Sequence, residues 1–240
     1  MGALFPDQDL VPTYEQFCAR AKEIFAAIPE EFTEGVEDVV LNRGISRHPQ
    51  ISDVVTLGEC EPSPTVAMTG GGDVRSIVHL YYGSFVDLAR SDPSFHFDDE
   101  LKETIEHEVQ HHVEDKAGRR GLIDEDELFD AHARFRADME VDAGWYRRGR
   151  VIERNVWAVD LDLFVEVEMR KKDFGALKGK PLTLKVLGEP VELEIPDDAE
   201  PDEIFTLEGS GLLQTAEDED EDAATDDVPA GDLHIVPVVR

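Results

Sequence analysis

The stretch His107-Glu108-Val109-Gln110-His111 carries the residue types best suited to chemistry in this sequence. Two histidines four residues apart on a helix stand one turn apart on the same face, where both imidazoles can be directed at one metal ion. Projected at about 100° per residue, Glu108 lies about 60° from His111, which sets its carboxylate beside a metal-activated water rather than on the metal. That is the arrangement of hydrolytic zinc chemistry. The metal polarises water and a scissile carbonyl, while the carboxylate takes the water's proton and hands it to the leaving amine. A third ligand is needed, and Glu114, which projects onto the histidine face, is the first choice. It stands about 10 Å along the axis from His107, however, a long reach on a straight helix. A turn at Gly118 or Gly121 could instead return Asp124, Glu125, Asp126 or Glu127, and Asp138, Glu140 or Asp142 could approach from a second helix.

The elements that must position these residues follow from periodicity. After Asp98-Asp99, which can cap an N-terminus, a helix is expected to run to about Ala117, with Gly118 as its stop. Leu101, Ile105, Val109 and Val113 fall opposite His107 and His111, so one face packs while the other is free for a site. His112 projects toward the apolar edge and reads as a packing residue. An earlier helix spans Thr13 to Ile28, its apolar stripe marked by Phe17, Ala21, Ile24, Phe25 and Ile28, and Pro29 ends it. Between the two, Ser76 to Phe85 is β-branched and aromatic and reads as a strand, preceded by a turn at Gly70-Gly71-Gly72. If that strand lies at an edge, it could hold an extended peptide, with His79, Tyr81 or Tyr82 as an oxyanion donor.

Beyond Gly149-Arg150 the pattern changes to period two. Ala158 to Met169, Leu182 to Val186, Val191 to Ile195 and Asp232 to Val239 read as half-buried strands, with Gly188-Glu189-Pro190 as a hairpin turn. Ala216 to Asp227 holds eight acids in twelve residues and reads as a disordered, solvated loop.

The 240 residues carry 55 Asp plus Glu against 23 Lys plus Arg, a formal charge of −32. A surface this negative repels phosphate backbones and anionic headgroups, so neither nucleic acid nor membrane is expected as a partner. No apolar run reaches the length of a membrane span, and Met1 to Asp7 has neither the basic nor the apolar region of a signal peptide, so the expectation is a soluble, cytoplasmic protein. Cys18 and Cys60 are too few for a disulfide framework and read as free thiols in a reducing compartment.

On these motifs, residues 13 to about 117 resemble the small bacterial zincin-like metallopeptidases: an opening helix closed by Ile28-Pro29-Glu30-Glu31-Phe32, a strand like Ile77-Val78-His79-Leu80-Tyr81-Tyr82-Gly83, then the H-E-x-x-H helix. The resemblance implies His107 and His111 as zinc ligands and Glu108 as general base. Many members place an Asp ten residues after the first His, where this sequence has Ala117. The C-terminal part resembles the substrate-binding β-domain of DnaJ-type co-chaperones. The matching pieces are Asp160 to Val167, Val191-Glu192-Leu193-Glu194-Ile195-Pro196, Leu207-Glu208-Gly209-Ser210-Gly211-Leu212 and Gly231-Asp232-Leu233-His234-Ile235. It implies a shallow apolar groove that binds extended, unfolded polypeptide. The sequence has no J domain with its His-Pro-Asp and no cysteine-rich zinc repeat.

The expected fold class is therefore α+β: a minimal zincin-like α+β domain over residues 1–150, then an all-β sandwich over 151–240 that includes the 216–227 loop. The expected function is that of a zinc-dependent peptidase, with Zn2+ on His107, His111 and Glu114, Glu108 as catalytic base, and unfolded polypeptide or peptide as substrate. A chaperone-like unfolded-protein-binding module with a structural or vestigial metal site is the alternative, and an adaptor that recruits basic partners through the acidic loop is a third reading.

Overall fold

The computed structural model describes residues 11–64, 74–92, 94–201, 203–212 and 231–239. The opening residues Met1 to Asp7, the Gly70–Gly72 turn and the 216–227 loop lie outside the described residues. The fold mixes α and β in two compact units, Met1–Glu127 and Leu128–Arg240. The division falls earlier than the expected 150/151 because Trp145 and Tyr146 pack with Val159 and Phe164, with Leu128, Ala131 and Phe135 around them. Among the described residues no helix is long and apolar enough to cross a membrane.

In the first unit helix α1 (Tyr14–Ala27) opens on a reciprocal cap, in which the Thr13 hydroxyl accepts from the Gln16 N–H and the Gln16 side chain accepts from the Thr13 N–H. Phe17 and Ala21 on its inner face are fully buried. After the short helix α2 (Glu30–Thr33) come β1 (Val36–Asn42), the small pair β2 (Ser46–Arg47) and β3 (Val55–Thr56), β4 (Gly58–Pro62) and β5 (Ser76–Tyr81). β5 runs parallel to β1 and antiparallel to β4 in a three-stranded sheet of order β1-β5-β4. The aromatic run expected as one strand to Phe85 turns at Tyr82 into helix α3 (Tyr82–Ser91), because Phe85 inserts between the rings of Phe17 and Phe97. β5 is thus central, not an edge, and β4 is the edge that matters for the site.

Helix α4 (Phe97–Lys116) packs against β4 and β5. Its N-cap is His96, two to three residues ahead of the expected cap, so Asp98, Asp99 and Glu100 occupy its first turn and face the positive end of the helix dipole instead of capping it. Leu101 and Ile105 are fully buried and Val109 nearly so, as the projection requires. His112 is also fully buried: its Nε2–H donates to the Glu34 carbonyl at 3.0 Å, and its Nδ1 accepts from the Ser76 hydroxyl at 2.9 Å. Gly35, at φ 107°, brings the chain so close that a Cβ there would stand 2.9 Å from the His112 ring. The next helix, α5 (Gly121–Arg136), begins in this unit and ends in the second.

The second unit holds a five-stranded sheet of order β11-β12-β8-β7-β6: β6 (Arg150–Glu153), β7 (Val156–Val159), β8 (Asp162–Met169), β11 (Phe205–Leu207) and β12 (Leu233–Val239). β12 lies parallel to β8, and the other pairings are antiparallel. The run expected as a single strand from Ala158 to Met169 is a hairpin, broken where Asp160 adopts φ 52°. A second hairpin, β9 (Pro181–Val186) and β10 (Glu189–Glu194), turns at Leu187-Gly188, both in the left-handed region, one residue before the expected turn. Leu163 and Val165 face a core shared with Val186, Leu193 and Ile195 of that hairpin, whereas Phe164 faces the Trp145–Tyr146 cluster. The unit is not all-β. Helix α6 (Lys171–Leu177) buries Phe174 in the first of these cores, and residues 128–136 of α5 contribute to the second.

Candidate metal centre

Helical spacing brings His107 and His111 together. Their Nε2 atoms are 3.1 Å apart, a gap suited to a shared proton or a shared ion. The third group in contact is Asp126, in the second turn of α5: its Oδ1 is 3.4 Å from His107 Nε2, and its Oδ2 is 3.0 Å from His111 Nε2. Tetrahedral zinc with bonds near 2.0–2.1 Å sets neighbouring ligand atoms roughly 3.3 Å apart. The three separations match that span, and the donor set of two imidazoles and one carboxylate is one zinc accepts. Among the described residues, His107, His111 and Asp126 form one of two groups able to hold an ion.

Glu114, the first choice for third ligand, is engaged elsewhere. Its carboxylate accepts the N–H of Leu122 at 3.0 Å and so satisfies one of the free donors at the start of α5. It thereby fixes the turn that returns Asp126 to the histidines. Asp126 was one of eight candidates in the sequence, and only the path of the chain through Gly118, at φ 64°, and Gly121 selects it.

Glu108 is 6% exposed, and among the described residues no hydrogen bond reaches its carboxylate. Burial pushes its pKa up to about 7 against the opposing pull of His107 and His111, which poises it to take and return a proton near neutral pH. Hydrogen bonding to Asp126 raises the pKa of both His107 and His111. Asp126 itself is pushed up by burial and pulled further down by the two imidazoles, so its carboxyl lies well below the usual range. An acid held ionised between two imidazoles is a set of groups arranged around positive charge.

These groups line a cleft of about 710 Å³ whose opposite wall is β4. The Tyr81 N–H donates to the Leu57 carbonyl, and the Ser63 N–H to the Arg75 carbonyl. The alternation of an antiparallel ladder then turns the backbone groups of Glu59 and Glu61 toward β5, leaving those of Gly58 and Cys60 facing outward on an edge that no other described strand covers. Gly58 lies against the base. A Cβ there would come within 2.8 Å of Glu108 Cγ and 2.7 Å of Thr104 Cγ2, so only glycine lets strand and helix approach this closely. Neither feature was anticipated from sequence, since β4 is five residues with no clear alternation. The aromatic candidates do not reach the centre: the Tyr81 hydroxyl donates to Glu59, the Tyr82 hydroxyl to the Pro12 carbonyl, and His79 sits 3.7 Å from Glu61.

The second possible ion-holding group, Asp162, Asp232 and His234, belongs to the other unit and already contains its own cation. Arg136 donates to both oxygens of Asp162 at 3.0 and 2.9 Å and stands 3.4 Å from Asp232. His132 and His234 donate to the same carboxylate at 2.8 and 3.1 Å, and the Asp232 N–H adds a further bond. This is a closed structural network. Nothing in the sequence pattern singled it out.

No family model and no curated protein matches the chain. Among solved structures, a conserved hypothetical protein from Thermo thermophilus is similar to 44% of this chain and 98% of its own, at 30% identity and a TM-score of 0.37.

Proposed function

We propose that the protein is a zinc-dependent peptidase whose site is in the first unit. The observation that carries this reading is the convergence of His107, His111 and Asp126 at 3.0–3.4 Å, with the buried Glu108, whose carboxylate has no hydrogen-bond partner among the described residues, beside them. His107, His111 and Asp126 would hold the zinc, which supplies Lewis acidity toward water and the scissile carbonyl. The free edge of β4 pairs with an extended substrate through Gly58 and Cys60 and lays its backbone across the cleft. Glu108 then accepts a proton from the attacking water as oxygen bonds to the carbonyl carbon. It returns that proton to the amide nitrogen as the C–N bond breaks, and its near-neutral pKa suits both transfers. The second unit is proposed to bind unfolded polypeptide and supply it to this site, on the strength of its sequence resemblance to co-chaperone β-domains.

The test is Glu108→Gln in the full chain, with one equivalent of zinc. Wild type should cleave a denatured, fluorophore-labelled protein and the variant should not, while still binding zinc. Equal cleavage by both, or by neither, refutes the peptidase reading. The variant also serves as a trap: fluorescence anisotropy should show it retaining the labelled unfolded chain, and lack of retention removes the proposed role of the second unit.

A further inference from the structure

The cleft wall is acidic beyond anything the chemistry needs. Besides Glu108 and Asp126 it is lined by Glu59, Glu61, Glu103 and Asp115, and by no Lys or Arg. Along α4, Glu103, His107, His111 and Asp115 follow one another at intervals of four, so a carboxylate flanks the histidine pair one turn away on each side. Glu59 and Glu61 belong to the opposite wall, on β4.

What sets these acids apart is that they meet in one concavity whose lining holds no Lys or Arg. Elsewhere in the same unit several carboxylates are matched with cations: Glu15 with Arg43, Asp87 with Arg47, Glu37 with Arg75, Asp98 with Arg20. The four extra carboxylates of the cleft have no Lys or Arg partner among the described residues. Glu59 accepts only from the Tyr81 hydroxyl, and Glu61 approaches only His79. Uncompensated like charges around a concavity repel one another, and a cationic group entering the cleft relieves that repulsion.

Building on the peptidase reading, we propose that the site selects lysine- and arginine-containing peptide segments, the four carboxylates receiving cationic side chains on both sides of the cleaved bond. Twelve helical residues separate Glu103 from Asp115, about 18 Å, which an extended chain crosses in about five residues. The side chains that meet these acids are therefore those within roughly two positions of the scissile bond.

The experiment compares three peptides of one sequence, with Lys, Gln or Glu at the two positions flanking the bond, against the zinc-loaded full chain. The Lys peptide should have a kcat/KM about five- to tenfold above the Gln peptide, with the Glu peptide slowest, and the ratio should shrink as salt is raised. Glu103→Gln with Asp115→Asn should bring the Lys-to-Gln ratio below about threefold, whereas Glu192→Gln, an acid of the β9–β10 hairpin in the second unit, should leave it unchanged. Cleavage of all three peptides at equal rates, or a ratio that survives the double substitution, overturns the selectivity while the peptidase stands. If no peptide is cleaved, the peptidase reading fails; anisotropy of the same labelled peptides on the Glu108→Gln chain then decides the selectivity separately, and equal affinities overturn it.

Discussion

Replacing Asp162 by Asn should unfold the second unit far more readily than any surface change. The carboxylate is 2% exposed and accepts from His132, His234, Arg136 and the Asp232 N–H. An amide of the same shape has one acceptor oxygen, and its NH2 group turns toward donors. At least one of the buried imidazole N–H groups of His132 and His234 therefore loses its partner, and Arg136, half exposed, is left with Asp232 alone. Breaking such a buried charged network costs about 3–5 kcal/mol. Both tryptophans, Trp145 and Trp157, lie in this unit, so their fluorescence in urea reports its unfolding without interference from the first. With an m value of about 2 kcal/mol/M, the midpoint should fall by about 2 M. Asp160→Asn is the control: this residue is exposed at φ 52°, a conformation asparagine also tolerates, and should shift the midpoint by less than about 0.3 M. pH supplies a second reading. Burial pushes the Asp162 carboxyl up, but its four donors pull it further down, well below the usual carboxylate range. A depressed folded pKa gives stability that is fully present above the unfolded value, near 3.9, and is lost as pH falls through the folded one. Wild-type stability in this unit should therefore drop steeply below about pH 4, and the Asn variant should show a flatter drop. A midpoint shift under about 0.5 M, or identical acid profiles, would refute the network as a main support of the unit.

Three further outcomes follow from the first unit. Asp126→Ala should abolish tetrahedral Co2+ absorption in the visible, whereas Glu114→Ala should retain it and lose about 0.5–2 kcal/mol of stability, as expected for a helix-start acceptor; the reverse result would reinstate Glu114 as ligand. Gly58→Ala forces a methyl within 2.9 Å of Glu108 Oε1, so it should lower kcat at least tenfold with zinc stoichiometry unchanged, and full activity would show that the strand and helix do not need to meet so closely. His112→Leu takes from the buried Ser76 hydroxyl its imidazole acceptor and from the Glu34 carbonyl one of two donors, Lys116 remaining, and should cost about 1–3 kcal/mol by thermal or urea unfolding followed by circular dichroism, without removing the metal; loss of metal with no loss of stability would contradict its packing role.

Short-range spacing alone determined the parts of this protein that lie within one helix. His107, Glu108 and His111 take their mutual arrangement from an α-helix whatever surrounds it, and the apolar residues Leu101, Ile105 and Val109 specify which side of that helix is buried. Period two likewise marked β8, β10 and β12 in the second unit. What the sequence left open required chain reversal or sheet order. Asp126 stood among eight acids, and the turn at Gly118–Gly121, held by Glu114, is what returns it to the histidines. Whether β5 was an edge depended on a five-residue strand, Gly58–Pro62, whose own pattern is silent and whose pairing with β5 spans a long stretch of intervening chain. Residues 128–149 joined the second unit because Trp145 and Tyr146 bury against Phe164, a contact no local period encodes. The helix and strand periods are written in each residue's neighbours along the chain. The third ligand, the substrate edge and the unit boundary are written in which surfaces exclude water together, and that is a property of the folded chain only.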